Sequence, residues 1–88
     1  MRIDISKFGN ILVSRPAGKD AFLTASAYIF KKDEKEFILD FAGVDVLTPS
    51  WADEFIGGIK DKFKDTEVKF ENTSNPSVTE TLEIIFPI

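Results

Sequence analysis

Ile3 and Ile5 alternate with Arg2 and Asp4, the two-residue period of a strand with one buried face. Lys7-Phe8-Gly9-Asn10 supplies turn chemistry, and Ile11-Leu12-Val13 reads as a second strand, so the two together predict a β-hairpin. Ser14 followed by Pro16 is a helix-start signal. A helix is expected from Ala17 to about Lys31, with Phe22, Ala25, Ile29 and Phe30 near its buried face. Lys32-Asp33-Glu34-Lys35 breaks the pattern ahead of Phe37-Ile38-Leu39-Asp40-Phe41, the most apolar run and so the expected central strand. Gly43 marks a turn, and Val44-Asp45-Val46-Leu47 leads into Thr48-Pro49-Ser50, where the next helix begins. In that helix Trp51, Phe55, Ile59 and Phe63 recur every four residues, with Ala52 and Ile56 widening the stripe. Gly57 and Gly58 lie inside it. Glycine there costs about 0.5–1 kcal/mol relative to alanine, which predicts close approach by a neighbouring backbone. Glu67-Val68-Lys69-Phe70-Glu71 alternates like a strand with one wet face, and Asn75-Pro76 opens a last helix with Val78, Leu82 and Ile85 on one side.

The order is β-β-α-β-α-β-α. It predicts one α/β domain over residues 1–88: an N-terminal hairpin, then αβαβα, with a small mixed sheet and helices mainly on one face. The other face would be partly solvated or open to a partner. Composition narrows the function. Cysteine and histidine are both absent, which removes disulfides, thiolate metal sites and the serine–histidine and cysteine–histidine nucleophile pairs. The chain is therefore expected not to be an enzyme and to carry no cofactor or metal. The net charge is −4 and the basic residues are scattered, which argues against nucleic acid as a partner. No apolar run approaches the ~20 residues of a membrane span. Met1-Arg2-Ile3-Asp4-Ile5 has no signal-peptide core, so a cytoplasmic chain is expected.

The run from Leu39-Asp40-Phe41-Ala42-Gly43-Val44-Asp45-Val46-Leu47 through Thr48-Pro49-Ser50-Trp51-Ala52-Asp53-Glu54-Phe55 resembles the STAS-like domain family of unknown function. That family is related to the fold shared by sulfate transporters and anti-sigma factor antagonists. Leu12-Val13-Ser14-Arg15-Pro16-Ala17-Gly18 and Phe70-Glu71-Asn72-Thr73-Ser74 fit the same pattern. In anti-sigma factor antagonists the corresponding strand-to-helix corner carries an Asp-Ser-Ser-Gly motif. A partner kinase, itself the anti-sigma factor, phosphorylates its first serine and so breaks their complex. Here Thr48-Pro49-Ser50-Trp51 occupies the corner, with Pro49 where the modified serine would stand, so that phosphorylation does not carry over residue for residue. The resemblance implies a regulatory protein–protein interaction module whose partner is a histidine-kinase-like ATPase such as an anti-sigma factor.

Thr48, Ser50, Trp51, Asp53 and Glu54 are the candidate partner-binding or switch residues. Each has a structural reading as well. Ser50 reads as an N-cap, with Ser50-x-x-Asp53 approximating a capping box. Trp51 reads either as core or as an interface anchor. Asp53 and Glu54 read as partners of the helix dipole, Arg15 as a cation for one of these acids, and Asp40 as an acceptor for loop N–H groups. Two alternatives stay open. One is an oligomerisation domain, such as a homodimer, that uses the sheet face around Ile38 or the helix face near Gly57 and Gly58. The other is a small anion or nucleotide binder at the N–H groups of the corner.

Overall fold

In the computed structural model, which describes residues 1–86, five short strands and three helices alternate. The strands are β1 (Arg2–Asp4), β2 (Ile11–Leu12), β3 (Glu36–Asp40), β4 (Val46–Leu47) and β5 (Glu67–Glu71); the helices are α1 (Arg15–Tyr28), α2 (Pro49–Lys62) and α3 (Pro76–Ile85). All pairings are parallel. The larger sheet runs β1-β3-β5, with Ile3 beside Leu39 and Leu39 beside Phe70. Phe37–Phe41 is thus central, as its apolar run predicts. No helix among the described residues is long and apolar enough to cross a membrane.

The predicted hairpin does not form, and the sheets are parallel rather than mixed. Between β1 and β2 the chain makes a 3-10 helix (Ile5–Phe8), and β2 pairs with β4 as a separate two-stranded sheet. Asp4 nucleates the 3-10 turn by accepting from the Ser6 N–H at 3.1 Å and the Ser6 hydroxyl at 2.6 Å. Burial decides the outcome. Ile5 is fully enclosed, and the Phe8 ring sits 5.1 Å from Phe55. A hairpin would have kept this segment in a ladder; the 3-10 turn sends Ile5 into the core, where its full burial gains on the order of 1.5–3 kcal/mol, and lays the half-buried Phe8 against it. β4, two residues long, lies in a stretch the sequence left as a connection.

Ile3, Phe37, Leu39 and Phe41 point from the larger sheet into the core, where they meet Trp51, Ala52, Phe55, Ile56 and Ile59 of α2. Successive residues on the other face alternate outward, as β3's pattern of half-buried and buried positions records, so the helices cover one face as expected. The glycine expectation needs a correction. The tight backbone approach is at Gly18, where an added Cβ would fall 2.5 Å from the Trp51 carbonyl oxygen; Gly58 faces the Phe22 ring, 2.7 Å from such a Cβ, and Gly57 meets nothing nearer than 3.8 Å. Gly18, Ala21 and Ala25 form a shallow buried strip on α1 that lets α2 come close.

Candidate functional site

The corner begins with a two-residue ladder. Ile11 pairs with Val46 and Leu12 with Leu47. Leu12 and Leu47 face inward, both 2% exposed, so Ile11 and Val46 face outward; Ile11 is 59% exposed and Val13 43%. The Thr48 N–H continues the ladder to the Leu12 carbonyl at 3.1 Å, and its hydroxyl donates to the same oxygen at 3.3 Å. Thr48 is therefore the N-cap residue of α2 by position, but its side chain makes no cap hydrogen bond. This corrects the capping-box reading: Ser50 lies inside the first turn, after Pro49, which occupies a position where its missing N–H leaves no helical bond unmade. Trp51 is a second correction. It is 2% exposed and stacked on Phe55 at 5.0 Å, so it belongs to the core and presents no anchor to a partner.

The charged part of the corner does assemble. Arg15 Nη1 reaches Asp53 Oδ2 at 2.7 Å and Glu54 Oε1 at 3.3 Å, joining the first turn of α1 to α2. Hydrogen bonds to Asp53 and then Glu54 raise the Arg15 pKa further above its already high value. All three side chains are partly or largely exposed, so these pairs add little to stability; they fix where the charges stand. Asp45 is held elsewhere, accepting from the Asn10 side chain at 3.0 Å. Beside the corner, an open groove of about 470 Å³ runs between α1 and α2, lined by Arg15, Lys19, Leu23, Asp53 and Gly57 among others. Ser14 caps α1 by accepting from the Ala17 N–H at 3.3 Å, and it does so at φ 78° and ψ 143°. A non-glycine residue in this region carries roughly 1–3 kcal/mol of strain, of the kind that gathers at functional segments.

Two residues that bear on the corner escaped the sequence reading. Ser77 and Thr81 of α3 take the place of a strand on the free side of β4. The Leu47 N–H donates to Ser77 Oγ at 3.0 Å, and the Leu47 carbonyl accepts from Thr81 Oγ1 at 2.6 Å and Ser77 Oγ at 3.2 Å. Thr81 is 4% exposed. The available signal was two hydroxyls four residues apart, on the side of the helix that carries Val78 and Leu82. Asp40, as expected, bonds a loop amide: Oδ1 accepts from the Ala42 N–H at 3.0 Å and from the Asn72 side chain at 2.7 Å. These bonds, with Arg2 beside them, hold its carboxyl below the usual aspartate range. Ile38 does not stand in an apolar patch: it is half-buried between Arg2 and Lys69 in the sheet register.

A small α/β domain with a parallel sheet, three helices and a corner braced from both sides is the class these features define. The profile of the STAS-like domain of unknown function matches residues 27–78, which span the end of α1, the central strand, the corner, α2, β5 and the start of α3. The chain belongs to that family. No curated protein and no solved structure matches it.

Proposed function

We propose that this chain is a non-catalytic regulatory module of the cytoplasm that binds another protein through the corner formed by β2, β4 and the first turns of α1 and α2. One observation carries the reading: the outward-facing Ile11 and Val13, exposed beside the Arg15–Asp53–Glu54 cluster. An apolar centre with a charged rim is the usual anatomy of a protein–protein contact, and the scaffold beneath it is held by the Leu12–Leu47 ladder and the α3 hydroxyls. The kind of partner we propose, a histidine-kinase-like ATPase of the anti-sigma type, rests on the likeness of STAS-like domains to anti-sigma factor antagonists. Thr48 and Ser50 lie in the chain between Leu47 of the ladder and the two acids, and a phosphate on Ser50 would add about −1.5 to −2 charges near Asp53 and Glu54, whose mutual repulsion would distort the corner and release the partner.

The test starts with capture from native lysate, followed by calorimetric titration of the purified partner. Ile11→Asp is expected to weaken binding at least tenfold, Asp53→Lys with Glu54→Lys to weaken it measurably, and Ser50→Glu to imitate the modified state. Equal affinity for the wild type, Ile11→Asp and the acid-reversal variant would end this reading.

A further inference from the structure

The far edge of the larger sheet carries a second surface, independent of the corner. β5 pairs only with β3 among the described residues. The Glu67 N–H bonds the Lys35 carbonyl at 3.2 Å and the Glu71 carbonyl accepts from the Phe41 N–H at 3.0 Å, so the odd-numbered residues of β5 face β3. By the two-residue period of a strand, Val68 and Phe70 aim their N–H and C=O groups away from β3, along the open edge.

The two faces flanking that edge differ in chemistry. On the helix side lies an open hollow of about 200 Å³ lined by Phe70, Leu82 and Phe86 among others, with the Phe70 and Phe86 rings stacked at 5.8 Å. On the wet side the sheet register gathers Asp4, Glu36, Asp40, Glu67 and Glu71 against two bases, Arg2 and Lys69. Both bases are already engaged: Arg2 pairs with Asp40 at 3.0 Å and Glu71 at 2.6 Å, and Lys69 with Glu36 at 3.0 Å. Five acids against two bases leave the face net negative; Glu67 and Glu71 stand on the edge strand itself, on either side of Lys69, which also lies 3.9 Å from Glu67.

We infer that the free edge of β5 receives an extended segment of a partner protein in which basic and apolar side chains alternate. Main-chain bonds to Val68 and Phe70 would supply affinity that is indifferent to sequence. Alternate side chains would fall on the wet face beside Glu67, Lys69 and Glu71, where the net negative charge of the face, with Lys69 already paired to Glu36, selects lysine or arginine next to the two acids. The intervening ones would lie toward Phe70 and the hollow, selecting apolar residues. A second copy of this chain is the competing occupant. Antiparallel self-pairing centred on Lys69 would set like charges opposite each other and pairing centred on Val68 or Phe70 would set Lys69 against Glu67 or Glu71, but either register would join two wet faces that each hold five acids against two bases.

The probe is a fluorescent seven-residue peptide of alternating lysine and valine, read by anisotropy and by amide hydrogen exchange of the intact domain. Three controls accompany it: an alternating glutamate–valine peptide, the lysine–valine peptide N-methylated at every second backbone nitrogen, and Glu67→Lys with Glu71→Lys in the protein. Binding of the lysine–valine peptide is expected to slow exchange at Val68 and Phe70. The N-methylated peptide and the double variant should each lose at least tenfold in affinity, the glutamate peptide should not bind, and Ile11→Asp at the corner should leave affinity unchanged. Equal binding of the N-methylated peptide would overturn the inference, because charge alone would then account for it. So would unprotected Val68 and Phe70 amides in the complex. Protection that grows with protein concentration in the absence of peptide would assign the edge to a second copy instead.

Discussion

Between α1 and α2 backbone meets backbone, while on the other side of the same sheet long charged side chains meet one another over water. At the seam, Gly18 leaves 2.5 Å between a would-be Cβ and the Trp51 carbonyl, and Phe8, Trp51 and Phe55 pack with ring centres 5.0–6.2 Å apart. On the open face Arg2 and Lys69 each reach two acids through side chains about half exposed. Steric fit of the first kind admits almost no substitution, because neither backbone nor enclosed rings can move without moving their neighbours. The ion pairs of the second kind can be exchanged, lengthened or lost with little change in the fold. Recognition chemistry can therefore sit on the open face and at the corner, where side chains are free to vary, while the seam fixes the positions from which they project.

The largest effect that sharpens this contrast is Phe55→Ala. Phe55 is fully enclosed and its ring lies near three other aromatic rings, so truncation should cost about 3–5 kcal/mol. A domain of this size is typically stable by about 5–15 kcal/mol, so the variant should lose most of its resistance to urea. A midpoint shift worth less than about 1 kcal/mol would show that the aromatic cluster is looser than its geometry implies. Next comes Gly18→Ala. Adding one methyl against the Trp51 backbone should destabilise by about 1–3 kcal/mol through overpacking, although alanine is the better helix former. Gly57→Ala is its internal control: the added Cβ meets only Asp53 at 3.8 Å, and it should stabilise by about 0.4–1 kcal/mol. If both glycine variants moved in the same direction, the seam would not be a backbone contact.

The same contrast explains what could be read from the chain alone. The α2 stripe was legible because five of its buried residues follow a helical period. The central strand was legible because its core-facing residues are Phe37, Leu39 and Phe41. Asp40's bond to a loop amide and Arg15's reach to Asp53 and Glu54 were legible from charge and position near element ends. The hairpin was misread because Gly9 and Asn10 are turn residues in any context, whereas the packing of Phe8 depends on rings that lie more than forty residues away. The N-cap was misread for a related reason. Thr48 is spent on the Leu12 carbonyl, a partner that exists only once β2 and β4 have paired. β4 itself is two residues long and has no periodicity to detect. Of the candidate site residues, Trp51 was claimed by the core, as any large apolar residue on a helical stripe can be.

A smaller effect tests the brace behind the corner. Thr81→Val keeps the shape of the side chain and removes one of the two hydroxyls on the Leu47 carbonyl. Ser77 still reaches that oxygen, so the expected loss is about 1 kcal/mol, the net value of one buried hydrogen bond. Adding Ser77→Ala leaves the Leu47 N–H and C=O without either α3 partner and should more than double the cost. Strict additivity of the two single changes would mean that the hydroxyls act separately and do not form a shared brace.

The open face should hold at neutral pH and weaken in acid, and Asp40 decides the direction. Its carboxyl is held below the usual aspartate range first by the Ala42 N–H, then by Asn72 and by Arg2. A depressed folded-state pKa means that the unfolded chain binds the proton more readily. The stabilisation is therefore fully present above the unfolded value near about 3.9, and it is lost as pH falls through the lower folded value. Urea midpoints of the wild type and Asp40→Asn, measured from pH 6 down to pH 2, should differ most at the neutral end and converge in acid. Midpoint curves that stay parallel across that range would show that the Asp40 carboxylate is not the group whose charge ties the end of β3 to its loop. The open face would then be held together by its outer ion pairs alone.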